Sequence, residues 1–230
     1  MKFIIVVILL ALFVSCDIKK NQDSEPERIE EVILTNEPTG ENVIPHRDQK
    51  RYAWQKPQLV IDRLGDIDEK VVADIGAGTG YFSFRLVKKS KRVIAVDIDQ
   101  NMIDLMDLFI DNLDTSEQEK IETRLASSDD PNLKEQEVDV AIIINTIGYI
   151  NDRTDYLNRL RTSLKPGGLL FIVDFKMKRI PDDIAPSAQY RVNILDLEHD
   201  LIESGYSALS VDDISLDYQY IIKAYNLSEH

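Results

Sequence analysis

The sequence predicts an α/β fold, because apolar runs of strand length alternate with amphipathic runs of helix length. The clearest unit is VVADIGAGTGYF at residues 71–82, where an apolar run leads through a glycine-rich turn into an amphipathic segment at residues 81–89. A second apolar run, residues 92–97, ends in a carboxylate. Strand, glycine turn and helix, in this order, open the nucleotide-binding units of parallel sheets.

The later segments complete a predicted sheet of seven strands. A third strand at residues 120–126 is followed by two longer apolar runs, and a Pro-Gly-Gly sequence precedes the second of them. Two short β-type segments at the end favour an antiparallel closing pair. The predicted elements after residue 126 are, in order, strand 137–145, helix 152–164, turn 165–168, strand 169–175, loop 177–188, helix 193–204 and strands 208–216 and 217–226.

The spacing of the glycines indicates which ligand the turn suits. Dinucleotide-binding turns use G-x-G-x-x-G, whose third glycine helps to seat a pyrophosphate at the start of the helix. Here Gly76, Gly78 and Gly80 form G-A-G-T-G, with the third glycine one residue early. Asp74 stands two residues before the first glycine, and a carboxylate there suits a cationic group better than a phosphate. A nicotinamide-dependent oxidoreductase is therefore disfavoured.

The string VVADIGAGTGYF resembles motif I of the class I methyltransferases that use S-adenosylmethionine. The resemblance implies a Rossmann-like three-layer sandwich, with a seven-stranded, mostly parallel sheet and an antiparallel last strand. In that family the glycine turn passes under the amino-acid part and the ribose of the cofactor, and the acid helps to hold the cofactor's ammonium group. The residues that the resemblance places against the cofactor here are Asp74, Gly76, Ala77, Gly78 and Gly80.

Asp97 is the predicted ribose ligand, since it ends the second strand beyond the glycine turn. In nucleotide-binding α/β units an acid at this place accepts hydrogen bonds from two adjacent ribose hydroxyls. Asp99 is assigned instead to the N-cap of a helix at residues 100–113. Ile98, between the two acids, is expected to lie against the adenine.

The loop after the third strand supplies a candidate for the adenine amino group. S-S-D-D-P at residues 127–131 corresponds to the loop where class I enzymes place an acid against adenine, and related bacterial sequences carry a similar D-D-P string. Asp129 is the preferred candidate. Asp130 is an alternative for the same role, and an Asx turn ahead of the proline is an alternative for either residue.

The end of the fourth strand, at Asn145, is expected to face the cofactor and the methyl group, because ligands bind at the carboxyl ends of such strands. The segment resembles motif IV of the family but lacks the N/D-P-P-Y/F sequence, which disfavours amino methylation of adenine or glutamine. Related sequences often carry histidines where this chain has Gly148 and Tyr149, so a histidine base is not predicted there. The catalytic residues are unknown, with Tyr149 and Arg191 as candidates for the acceptor pocket.

The segment R-Y-A-W-Q-K-P at residues 51–57 resembles the stretch ahead of motif I in a bacterial subgroup of this family. Two interpretations stay open for it. Such leading helices often cover the cofactor in class I enzymes, which would give the segment a functional role. Alternatively, Trp54 is a core anchor for a helix that caps the sheet.

Together these features predict an enzyme that transfers a methyl group from S-adenosylmethionine to a small-molecule or lipid-like acceptor by in-line displacement. The methyl group is already activated, so the protein mainly positions the acceptor and shields the site. Three scattered histidines offer no metal-ligand spacing, and a net charge of −14 disfavours a nucleic-acid partner. The alternative is a non-catalytic, membrane-anchored binding lipoprotein that keeps the methyltransferase fold.

Residues 1–16 are predicted to be a signal peptide that ends in a lipobox. An apolar run at residues 3–14, too short to span a bilayer as a helix, precedes Ser15 and Cys16, the single cysteine of the chain. F-V-S-C resembles a bacterial lipobox, which implies a lipidated Cys16 and a membrane-anchored lipoprotein of the cell envelope. The alternatives are an uncleaved anchor or a mis-assigned start codon, and without a working signal the protein would be cytoplasmic. Residues 17–45 are predicted to be a flexible acidic tether and residues 46–230 the methyltransferase domain.

Overall fold

Seven strands organise residues 46–227, the part of the chain that the computed structural model describes. The inner strands are rich in β-branched residues, which suit a pleated, buried surface. The strands are β1 (Val71–Ile75), β2 (Arg92–Asp97), β3 (Ile121–Leu125), β4 (Val138–Ile144), β5 (Leu164–Phe175), β6 (Ser207–Asp212) and β7 (Gln219–Tyr225). Their order across the sheet is β3-β2-β1-β4-β5-β7-β6.

The sheet is mostly parallel. Parallel pairing joins β3, β2, β1, β4 and β5, while β7 runs antiparallel to both of its neighbours, β5 and β6. The predicted fold class is therefore confirmed, including the antiparallel last strand. The strand order reverses between β1 and β4, and such a reversal opens a crevice for ligands at the carboxyl ends of the strands.

The helices follow the predicted order. They are α1 (His46–Gln55), α2 (Pro57–Asp62), α3 (Ser83–Leu86), α4 (Gln100–Ile110), α5 (Thr115–Gln118), α6 (Arg153–Ser163) and α7 (Ile194–Glu203), with short 3-10 helices at Ile147–Tyr149 and Ala188–Tyr190. The predicted capping role of Asp99 is confirmed, because its side chain accepts a hydrogen bond from the Asn101 N–H at 2.9 Å. Asn193 caps α7 in the same way.

Several predicted boundaries were wrong, and the strand expected at residues 208–216 ends at Asp212. The helix expected at residues 81–89 is α-helical only over Ser83–Leu86, and the hydroxyl of Ser90 donates to the Leu86 carbonyl just beyond it. The turn expected at residues 165–168 lies inside β5, which begins at Leu164. Here the pairing with β4 shifts register, because β5 carries extra residues that bulge from the ladder.

The two faces of the sheet are both covered, which gives the three-layer sandwich. Alternate strand residues such as Ala73 and Ile94 pack with Leu157 and Leu160 of α6 and with α7. Their neighbours point to the other face and pack against α2 and α3; they include Val72, Val93, Val140 and Ile142. The core therefore holds the strand ends rigidly from both sides.

The predicted signal peptide, lipobox and tether, including Cys16, lie outside the described residues. Within residues 46–227, no helix has the length and apolar character needed to cross a membrane.

Candidate functional site

Two adjoining cavities lie at the carboxyl ends of β1, β2 and β4, where the strand order reverses. One has a volume of about 220 Å³ and the other about 180 Å³. Gly76 and Thr146 line both, so they form the boundary between the two. Together the cavities fall in the roughly 300–1,000 Å³ range of small-ligand sites.

The larger cavity has mainly apolar walls and one carboxylate. Asp97 at the end of β2 faces it beside Ile98, and Ala126 closes the side next to β3. Tyr149 and Tyr156 complete the far wall. Ile98 is 63 % exposed in spite of its apolar side chain, which is the behaviour expected of a residue that a planar ligand covers.

The smaller cavity carries charges of both signs. Asp74 from β1 and Arg51 from α1 line it, together with the backbone of the glycine turn and the side chain of Asn145. The Arg51 guanidinium lies 4.0 Å from the centre of the Tyr81 ring, which holds the cation in place. A zwitterionic group matches this arrangement of charges.

The glycine turn lines the cavities with backbone atoms that carry no side chain. Gly78 has a φ of +58°, and a Cβ added there would meet no described atom within 4 Å. Gly76 has a φ of +73°, and a Cβ there would lie 2.4 Å from the side chain of Thr146. The first glycine is therefore required by the protein's own packing, whereas the second leaves room for a ligand.

Asp97 is joined to this turn by a hydrogen bond. Its Oδ2 accepts from the Gly78 N–H at 2.7 Å, and its Oδ1 accepts from the Asp99 N–H at 3.0 Å. A carboxylate has about four acceptor positions, so two of them still point elsewhere. The predicted ribose ligand is thus fixed in orientation before any ligand arrives.

Asp74 is buried, with 3 % exposure, and its Oδ2 accepts from the hydroxyl of Ser83 at 2.7 Å. Desolvation raises the pKa of its carboxyl to about 6, against the lowering effects of Ser83 and of the Arg51 charge. A buried carboxylate of this kind gains free energy when a cationic group comes to it. This fits the predicted contact with an ammonium group.

Asp129 and Asp130 differ in their hydrogen bonds and in their surroundings. Asp130 accepts from the Asn132 N–H at 2.7 Å, an Asx turn across Pro131. Asp129 is fully exposed and lines a third cavity that shares Ser128 and Tyr156 with the larger one. Its contact with adenine stays a prediction, since the described structure places it next to the larger cavity rather than in its wall.

The two candidates for the acceptor pocket have different surroundings. Tyr149 lines the larger cavity and stacks on Tyr190 with ring centres 5.0 Å apart. Partial burial and the charge of Asp174 raise its pKa. Arg191 donates to the carbonyls of Pro186 and Lys178 at 2.7 and 2.9 Å, so its guanidinium braces the loop before α7.

Asp174 is a buried acid that sequence reasoning missed. It lies near the end of β5 with 1 % exposure and accepts from the Phe175 N–H at 2.6 Å. The Ile147 N–H is a second donor, and Tyr149 and Arg191 are also close enough to influence it. Desolvation raises its pKa to about 7. The only sequence signal was its position at the carboxyl end of a strand.

Helix α1 contains a residue that suits each of the two interpretations of the R-Y-A-W-Q-K-P segment, and its role over the cofactor stays a prediction. Trp54 packs on Phe175 with ring centres 5.8 Å apart, as a core anchor would. Arg51 lines the smaller cavity, and Gln55, with 0 % exposure, donates to Asn145 at 3.3 Å. Arg51 and Gln55 were not singled out from sequence, although the unusual string that contains them was.

The comparisons with known proteins agree with this geometry. Residues 73–172 match the family model described as a methyltransferase domain, and this stretch runs from β1 into β5. The sequence is 26% identical over 112 residues to a ubiquinone biosynthesis O-methyltransferase of Hydrogenovibrio crunogenus. That match covers 48% of this chain and 45% of the relative, so the chain spans less than half the length of that protein.

Solved structures identify the architecture. A S-adenosylmethionine-dependent methyltransferase from Aquifex aeolicus superposes with a TM-score of 0.70, at 18% identity, over 86% of this chain and 98% of the other. This is the Rossmann-like methyltransferase fold. A phosphoethanolamine N-methyltransferase of Haemonchus contortus, solved with S-adenosylmethionine, superposes with a TM-score of 0.62 at 14% identity, over 76% of this chain and 53% of the other.

Proposed function

We propose that this chain is an S-adenosylmethionine-dependent methyltransferase acting on a small-molecule or lipid-like acceptor. The observation that carries the proposal is the contrast between the two adjoining cavities. One is apolar with a fixed carboxylate, as a nucleoside requires, and the other holds an acid and a guanidinium, as an amino-acid group requires. The cofactor combines these two chemistries in one molecule.

The residues assigned to the cofactor follow from this match. Asp97 would accept from the ribose hydroxyls, with Ile98 against the adenine. Asp74 would pair with the ammonium group and Arg51 with the carboxylate. The bare backbone at Gly78 would let the ligand cross from one cavity to the other, since a Cβ there would point into open space.

When bound, the cofactor supplies a methyl group that is already activated for displacement. The chain's own residues have to hold an acceptor in line with that group and exclude water from it. A dedicated base is required only where the acceptor carries a proton at neutral pH. The stacked Tyr149 and Tyr190 offer a flat apolar surface beside the larger cavity, suited to an aromatic acceptor.

Oxygen is the acceptor atom to test first. The curated relative is named as an O-methyltransferase, and this chain lacks the N/D-P-P-Y/F sequence associated with amino methylation. Phenols with an apolar tail would combine an aromatic ring with the lipid-like character proposed here.

Calorimetric titration of the full chain with S-adenosylmethionine and S-adenosylhomocysteine tests the proposal. Micromolar binding, worth about 8 kcal/mol, is expected for both ligands, whereas a nicotinamide dinucleotide should not bind. A folded protein that binds neither adenosyl ligand would refute the enzyme function and favour the alternative of a binding lipoprotein.

The membrane anchor is a separate proposal. Lipidation of Cys16 would carry the domain on an acidic tether at the surface of a bacterial membrane. Expression in a bacterial host with radiolabelled palmitate should label the wild-type chain and leave Cys16→Ser unlabelled. Equal labelling of both would contradict the lipobox.

A further inference from the structure

Three side chains from two distant parts of the chain form a directed hydrogen-bond relay. The Arg51 Nε donates to the Gln55 Oε1 at 2.5 Å, and the Gln55 Nε2 donates to the Asn145 Oδ1 at 3.3 Å. Gln55 is fully buried, whereas Asn145 is half-buried and lines the smaller cavity. The relay therefore starts at a cation and ends at the cavity wall.

The direction of this relay is fixed by the chemistry of its first member. The oxygen and nitrogen of an amide side chain can exchange places, so a single amide pair does not define its own direction. A guanidinium, however, has donors and no acceptor. The Gln55 oxygen must therefore face Arg51, the Gln55 nitrogen must face Asn145, and the Asn145 oxygen must accept.

Asn145 consequently turns its other atom, Nδ2, away from the relay. Its Oδ1 also accepts from the Nε2 of Gln219, and among residues 46–227 Nδ2 makes no hydrogen bond. The backbone N–H of Asn145 donates to the Val173 carbonyl at 2.9 Å, and the residue has a φ of +61°. This bond holds the backbone from which the amide side chain projects. Asn145 lines the smaller cavity, and Nδ2 is the amide atom that the hydrogen bonds of this side chain leave available to a ligand there.

We propose that the Arg51–Gln55–Asn145 relay orients the Asn145 amide so that its Nδ2 donates to the carboxylate of the cofactor's amino-acid group. This inference rests on the proposed function, which places that group in the smaller cavity. An N–H donor recognises an oxygen, and the carboxylate is the oxygen-bearing group at that end of the ligand. Gln55 is a positioning residue, since it acts on the ligand through Asn145 and through Arg51, which it also contacts.

Gln219 provides a matched control. Like Gln55 it is fully buried and donates to the Asn145 Oδ1. Its own Oε1 has no hydrogen-bond partner among the described residues, so nothing fixes the direction of its amide. Loss of Gln219 leaves Asn145 held by the relay. Loss of Gln55 leaves Asn145 and Gln219 free to exchange their amide atoms as a pair.

The test compares two nearly isosteric variants, Gln55→Met and Gln219→Met, by calorimetric titration of the full chain. The ligands are S-adenosylmethionine and its decarboxylated analogue, which keeps the sulfonium and the ammonium. Gln55→Met should bind S-adenosylmethionine about tenfold more weakly, since hydrogen bonds to charged groups are the stronger class. Its affinity for the decarboxylated analogue should stay within about twofold of wild type, as should both affinities of Gln219→Met.

Equal losses in the two variants, or equal losses for the two ligands, would overturn the relay and indicate simple core damage. Asn145→Ser is titrated beside Gln55→Met, and replaces it if that variant fails to fold, because serine removes Nδ2 without adding charge and leaves the contact between Gln55 and Arg51 in place. The same selective loss is expected there, and an unchanged preference for the carboxylated ligand would overturn the proposal. A wild-type chain that binds neither ligand would instead refute the proposed function itself.

Discussion

The Oδ2 of Asp97 accepts a hydrogen bond from the backbone N–H of Gly78 at 2.7 Å. This bond joins the end of β2 to the glycine turn that follows β1, and these are the two segments with the most specific sequence signals. A carboxylate oxygen can accept a further hydrogen bond after this one, and the bond to Gly78 fixes the orientation of the Asp97 side chain. The site is organised around this contact.

Gly78→Ala should abolish binding of S-adenosylmethionine while leaving the chain folded. The added methyl group meets no described protein atom within 4 Å, so it would occupy space meant for the ligand. Gly65→Ala is the matched control, because Gly65 also has a positive φ and open surroundings but lies away from both cavities. Each variant should lose about 1 kcal/mol of stability through backbone strain, measured by urea unfolding. Normal calorimetric binding by Gly78→Ala would contradict the site.

Asp97→Ala should weaken S-adenosylmethionine binding by at least about tenfold, because hydrogen bonds to a charged partner contribute about 1.5–3 kcal/mol. Asp99→Ala removes the neighbouring acid, whose role in the structure is the N-cap of α4. It should cost about 1 kcal/mol of stability and leave the dissociation constant unchanged. Calorimetry and thermal unfolding of both variants separate the two effects. Similar binding losses in both would argue that the loop as a whole, rather than Asp97, holds the ribose.

Binding of S-adenosylmethionine should weaken as pH falls below about 6, the raised pKa of Asp74. The carboxyl has to be ionised to pair with an ammonium group, so affinity should be roughly tenfold lower at pH 5 than at pH 7. Asp74→Asn should bind weakly at both values with no such dependence. Calorimetry at pH 5.5 in buffers of different ionisation enthalpy should also detect proton release on binding by the wild type. A flat wild-type profile would contradict the role of Asp74.

Asp174→Asn should stabilise the chain at pH 8. Burial raises the folded-state pKa of Asp174 to about 7 from its ordinary value of 3.8, so the folded protein binds the proton more tightly than the unfolded chain. The contribution of Asp174 to the free energy of unfolding is therefore most favourable below about pH 4, and it is lost as pH rises through about 7. The total loss is up to about 4 kcal/mol. Urea unfolding of wild type and variant at pH 5 and pH 8 should show the difference widening with pH.

The Asp212→Asn variant should change the stability of the chain in the opposite direction and serves as a comparison. Hydrogen bonds from Ser215 and the nearby charge of Arg63 lower the pKa of Asp212 to about 2. A lowered pKa stabilises the folded state above the unfolded-state value, so this variant should be less stable than wild type at pH 8. If both variants shift stability in the same direction, the titration argument for Asp174 fails.

The strands and the glycine turn of the candidate site were predictable because their sequence signals are local. The first strand, the glycine turn and Asp74 lie in one continuous segment, and Asp97 ends the next strand. Each of these segments is short and predicts its local structure without information from distant residues. The distinction between Asp129 and Asp130 needed the fold, since both residues have the same chemistry and only their hydrogen bonds differ. The long bulge in β5 was missed because Pro-Gly-Gly predicts a turn equally well inside or outside a strand.

The residues that escaped prediction act over long separations in sequence. Gln55 meets Asn145 across 90 positions and Gln219 meets it across 74, so no periodic pattern could connect them. Arg51 was visible as part of an unusual string, yet its position over Tyr81 depends on the packing of α1. Asp174 carries no motif, and only its burial shows that it is unusual.

The place of β7 has a consequence for synthesis of the protein. Residues 219–225 form the last strand along the described chain, yet this strand lies between β5 and β6. On the ribosome, β6 emerges before its pairing partner exists, and the edge of β5 stays open until β7 has left the exit tunnel. A nascent chain stalled before residue 219 would therefore expose an unpaired hydrophobic edge to chaperones or to neighbouring chains. The sheet closes, and Asn145 receives its second donor, only after residues 219–225 have left the ribosome.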